Sequence, residues 1–124
     1  MPNNTRRIMG AGMAAAAARA ISGGVSDNLI AAGNSQATAL PLYGDTNVVT
    51  TAPASSGVLL PTNMHSGDEV QVANLGANSL SVYPPVGGAI NTGAANAAFA
   101  VGAGKVAVFT ARTGGLNWIA NLSA

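Results

Sequence analysis

From about residue 37 onward, apolar residues recur two positions apart in short runs separated by Gly, Pro and Asn clusters. A period of two places alternate side chains on one face of an extended chain, so such runs read as half-buried strands. The runs at 38–42, 47–51, 58–60, 69–74, 79–83, 97–101, 105–111 and 117–122 predict eight strands. Two pairs of runs read as hairpins. Val70 and Val72 are followed by the loop 74–78 and then Leu80 and Val82, while Phe99 and Val101 are followed by 102–104 and then Val106 and Val108. Leu59, Ile90, Trp118 and Leu122 are expected to join these inward faces. Pro84-Pro85 and Gly87-Gly88 exclude the stretch between the hairpins from a central strand and place it at an edge or in a crossing.

The pattern before residue 37 is different. Residues 13–21 (MAAAAARAI) favour a helix but carry few large side chains to dock it. Gly23-Gly24 ends that run, and Ser26-Asp27 then suits the cap of a short helical turn through Leu29, Ile30 and Ala32, closed by Gly33-Asn34. The expected fold is therefore all-β: a small antiparallel sandwich or barrel of eight strands over residues 37–124, preceded by an extended, partly helical arm over residues 1–36.

Composition narrows what such a domain does. Apolar residues make up 48% of the chain, but 26 of them are Ala, so the core is thin for 124 residues. Charged residues are 7%, far below the roughly 25% of an ordinary soluble domain. A surface this neutral gives a free monomer little colloidal repulsion and is better suited to being covered by neighbours. There is no cysteine, hence neither disulfide nor thiolate metal site. Arg6, Arg7 and Arg19 all precede the first acidic residue, Asp27, which makes the arm basic. Three arginines without interleaved aromatics suit an acidic protein surface better than nucleic acid.

The motifs with chemical potential are each better explained structurally. Residues 10–15 (GAGMAA) match a dinucleotide fingerprint in letters, but no strand precedes them and no βαβ unit follows. Thr5-Arg6-Arg7 with Ala18-Arg19-Ala20 resembles a twin-arginine export signal whose apolar stretch is too rich in Ala and Gly. His65, Asp68 and Glu69 could supply a base or a hard-metal site, yet they stand where a polar turn enters a strand, and the chain has no second histidine. Ser55 and Ser56 lack any hydrolase context. Tyr43, Tyr83 and Trp118 are read as core or rim rings before a sugar platform. No enzymatic activity, cofactor or metal is expected.

One longer stretch carries a resemblance. Residues 72–84 (VANLGANSLSVYP), then Gly88-Ala89-Ile90-Asn91, Ala95-Asn96-Ala97-Ala98, Ala103-Gly104-Lys105 and Trp118 resemble a small β-domain of tailed-bacteriophage virion structural proteins. The resemblance spans about half of the chain and implies a virion component: a capsid decoration or cement protein, or a part of a fibre or tail. The expected partner is then the major capsid protein, with the chain a homotrimer at the capsid surface and neither nucleic acid nor membrane as partner. The expected contact residues lie in the arm: Arg6, Arg7, Ile8, Met9, Met13 and Arg19. A host-glycan binding module of a fibre or tail, or an exported periplasmic β-domain, are the alternatives.

Overall fold

A computed structural model describes residues 24–123. These form ten strands and, among the described residues, no helix. The strands are β1 (Val25–Ile30), β2 (Leu40–Pro41), β3 (Thr46–Thr51), β4 (Gly57–Leu59), β5 (Glu69–Asn74), β6 (Leu80–Tyr83), β7 (Ala89–Ile90), β8 (Phe99–Val101), β9 (Val106–Thr113) and β10 (Asn117–Leu122). All eight predicted strands are present, and β1 and β7 are additional.

The all-β expectation holds, but the antiparallel sandwich or barrel does not. The chain winds as a short solenoid. From β1 to β9 successive strands alternate between a six-stranded sheet ordered β1-β3-β5-β9-β10-β7 and a four-stranded sheet ordered β2-β4-β6-β8, and β10 stays in the first. Within the first six strands every neighbour is parallel and lies one turn further along the chain, so Val25 pairs with Thr46 and Thr46 with Gln71, as Leu40 does with Val58 and Val58 with Val82. The path then reverses: β8 runs antiparallel to β6, and β9 antiparallel to β5 and β10. Both expected hairpins are consequently corrected. β5 and β6 lie in different sheets, as do β8 and β9, because the loops between them cross the roughly 10 Å between facing sheets instead of doubling back. The hairpin that does form is β9–β10, closed by Gly114 and Gly115 at φ 57° and 72°, the paired positive dihedrals of a type I′ turn.

Alternation builds the core from both sheets. Val49, Val70, Val72, Phe109 and Trp118 from one meet Val58, Leu80, Val82 and Val101 from the other, all fully buried or nearly so. On β9 the inward residues are Ala107, Phe109 and Ala111, so Val106 and Val108 face outward, opposite to expectation. Leu59 likewise points outward between buried Val58 and Leu60, and Leu122 is exposed at the end of β10. Ile90 and Trp118 are core residues as expected, and β7 is an edge strand.

The helical turn expected after Ser26-Asp27 is absent. Residues 25–30 form β1, parallel to β3, and Asn28 adopts φ 53° within an irregular pairing. The same small polar residues that suit a helix cap also suit a bulge, and here the neighbouring strand decides. The sheet therefore begins inside the stretch read as an arm.

Close packing at β7 gives a first prediction. Gly88 is buried, and a Cβ there would overlap the Leu116 carbonyl oxygen, which belongs to the β9–β10 turn. Neither backbone can yield without moving the hairpin, so Gly88→Ala is expected to cost about 1–3 kcal/mol. Chemical denaturation measures it, and an unchanged midpoint would show that the hairpin is free to shift.

Candidate functional site

The expected contact residues Arg6, Arg7, Ile8, Met9, Met13 and Arg19 lie outside the described residues, as do the residue 10–15 motif and the twin-arginine stretch. The candidate surface is what the coil presents to partners around the point where that segment enters it.

Three features meet there. The chain enters β1 at Gly24, whose carbonyl accepts hydrogen bonds from the Asp45 and Thr46 amides at 3.0 and 3.2 Å. Gly44 packs against Ser26 closely enough that a Cβ would lie 2.7 Å from its hydroxyl oxygen, which ties the β2–β3 corner to the start of β1. Asn47, fully buried, closes the same corner: its Nδ2 donates to the Gly44 and Gln71 carbonyls at 2.9 and 3.2 Å, and its Oδ1 accepts from the Gly44 amide at 3.3 Å. Just before this corner stands Tyr43, 88% exposed, beside an apolar groove of about 290 Å³ lined by Pro41, Leu42, Leu59, Pro61 and Asn63 among others.

The second feature is a broad neutral face. The outward residues of the six-stranded sheet stack in register as Thr46, Gln71, Val108 and Asn121, and beside them as Val48, Ala73 and Val106. Glu69 on β5 and Arg112 on β9 are charged residues of this face. The third is a division of charge. Residues 24–123 hold Lys105 and Arg112 against Asp27, Asp45, Asp68 and Glu69, a formal −2, whereas residues 1–23 hold three arginines and no acid.

The sequence-flagged chemistry is not assembled into a reactive site. His65 is 92% exposed at its side chain, and its backbone amide donates to Asp68 Oδ2 at 2.9 Å, so the pair forms a polar turn into β5. No group of three His, Asp, Glu or Cys gathers to hold a metal among the described residues. Ser56 is buried with its hydroxyl on the Pro53 carbonyl at 2.6 Å. The three rings are dispersed: Trp118 is in the core, Tyr83 lies half-buried over Gly57, and Tyr43 is exposed. His65→Ala should accordingly leave the unfolding midpoint within about 0.5 kcal/mol of wild type, measured by denaturation.

Sequence reasoning missed the neutral sheet face and the Tyr43 groove. Outward residues carry no motif, and the face exists only once strands far apart in sequence are in register. No helix among the described residues is long and apolar enough to cross a membrane. No protein-family model matches the chain, and no curated protein matches it.

Proposed function

We propose that this chain is a structural protein of a phage virion that decorates and reinforces the capsid, binding coat subunits through its N-terminal segment and its β-domain, as a homotrimer. The supporting observation is the broad, neutral outer face of the six-stranded sheet. Mostly uncharged side chains in register leave few charges to desolvate, which favours packing against other protein over binding a charged or small ligand. The basic segment, with Arg6, Arg7, Ile8, Met9, Met13 and Arg19, adds charge pairing and apolar anchors for an acidic coat surface. Reinforcement follows by mass action, since a protein that binds only the assembled lattice adds its binding free energy to lattice stability.

Electron microscopy of purified particles tests this. Copies at the lattice threefolds, with trimers by mass measurement of the purified protein, are the expected result; a few copies along the tail, or none on the particle, would refute it. The exposure of Tyr43 beside its groove favours one second reading, a host-glycan module of a fibre or tail, in which the ring stacks on a sugar and Asn63 bonds its hydroxyls. Glycan-array binding lost in Tyr43→Ala would select that reading.

A further inference from the structure

The corner where β2 and β4 leave the four-stranded sheet holds a groove that the coil itself does not fill. Buried Leu42 and Leu60 and half-buried Leu59 line it within, and Tyr43, Thr62 and Asn63 line its exposed rim. The walls are held in place by the sheet. The Leu42 amide donates to the Leu59 carbonyl at 3.0 Å, and the Leu60 amide to the Tyr83 carbonyl at 2.9 Å. Pro41 and Pro61 fix their own φ, and Asn63 turns the chain at φ 62°. A site built this way loses little binding free energy to ordering.

Its chemistry narrows the ligand. Among the described residues that line it none is charged, and residues 24–123 as a whole are formally −2, so an anion finds no counter-charge there. Tyr43 presents a single ring, 88% exposed. Among the described residues no hydrogen bond engages the side chains of Tyr43, Thr62 or Asn63, which leaves two hydroxyls and a carboxamide to donate and accept. The volume of about 290 Å³ lies at the small end of the roughly 300–1,000 Å³ of small-ligand sites. An aromatic face beside hydroxyl and amide groups matches a pyranose, whose C–H face packs on the ring and whose hydroxyls need partners of both kinds. A proline-rich peptide matches less well, because it docks along an aromatic-lined groove, and the other tyrosine of this sheet, Tyr83, lies over Gly57 and does not line this one.

We propose, resting on the sugar reading of this groove, that it binds one neutral pyranose, the terminal residue of a glycan, with Tyr43 stacked on its C–H face and Thr62 and Asn63 bonded to its hydroxyls. β2 and β4 belong to the four-stranded sheet, whereas the face proposed to meet coat subunits is the outer face of the six-stranded one. Sugar and coat therefore do not compete for one surface.

Amide chemical-shift titration of the isotope-labelled chain with methyl glycosides tests this. The neutral probes are the methyl glycosides of glucose, galactose, mannose, rhamnose and N-acetylglucosamine, and the acidic ones those of glucuronic, galacturonic and sialic acid. At least one neutral probe should shift the amides of Tyr43, Leu59, Thr62 and Asn63. Acidic probes should bind at least about tenfold more weakly, and a trisaccharide ending in the preferred sugar no more than about threefold more tightly. Tyr43→Ala should weaken binding at least about tenfold. Asn63→Gly, which keeps the left-handed backbone, should weaken it about two- to tenfold. An acidic probe that binds as tightly as any neutral one, or affinity that rises about tenfold or more with added rings, overturns the inference and leaves the sugar reading standing. No shift with any sugar overturns both, and the same shifts produced by a polyproline peptide alone assign the groove to a protein partner instead. The titration uses free protein, so its failure leaves the capsid reading untouched.

Discussion

Asn74→Ala is expected to lower folding stability by about 3–5 kcal/mol, out of proportion to the few atoms removed. The carboxamide is fully buried at the end of β5, where the chain must leave one sheet for the other. Its Nδ2 donates to the Asn78 carbonyl at 2.8 Å and to the Val101 carbonyl at 2.9 Å, and its Oδ1 accepts from the Gly76 amide at 3.0 Å. One side chain therefore closes the crossing loop and fastens it to β8. Removing it strands the fully buried Val101 carbonyl, at about 1–3 kcal/mol, and loses two further bonds, to the exposed Asn78 and the half-buried Gly76, worth about 0.5–1.5 kcal/mol each. Asn47→Ala should cost less, because both of its partners, Gly44 and Gln71, are only half-buried, whereas Asn74 also serves the fully buried Val101. Asn74→Asp should be no milder than alanine, since an ionised carboxylate cannot donate to either carbonyl and is buried without a counter-charge. Urea denaturation of the three variants measures this, and a loss under about 1 kcal/mol for Asn74→Ala would mean that the loop holds itself.

That residue also shows where sequence reading stopped. Alternation located eight of the ten strands, 69–74 and 117–122 to the residue, because burial of one face leaves a period-two trace whatever the pairing. It carried no information about partners. Val70 and Val72 share a core with Leu80 and Val82 whether β5 and β6 form a hairpin or face each other from two sheets, and only the buried Asn74, a polar residue on an inward position, distinguished the second case. The reversed facing of β9 has a similar cause: Val106, Ala107 and Val108 are all apolar, and the two valines drew attention from the small Ala107 that sits beside Val72 on the inner face of the same sheet. At β1 the letters Ser26, Asp27 and Asn28 served cap and bulge equally. As for the candidate site, the basic residues were readable as a cluster, while the neutral face needed register between strands that the chain itself does not display.

Deleting residues 2–12 is expected to weaken attachment to capsids by at least about a hundredfold while leaving the unfolding temperature within about 2 °C of wild type. The deletion removes Arg6, Arg7, Ile8 and Met9. Burying Ile8 and Met9 alone contributes about 1.5–3 kcal/mol each, which together is a hundredfold or more in affinity. On the proposed reading, charge pairing by the two arginines would add to this. The position of the cut matters, because a deletion reaching residue 33 would take β1 with it and confuse lost binding with lost folding. A second deletion, of residues 2–23, should abolish attachment to the same degree, and because it stops short of β1 it leaves every strand in place. Co-sedimentation with particles lacking the protein, beside calorimetry of each variant, separates the outcomes. Full binding by the 2–12 deletion would sink the role of the distal arginines and pass the attachment to the sheet face.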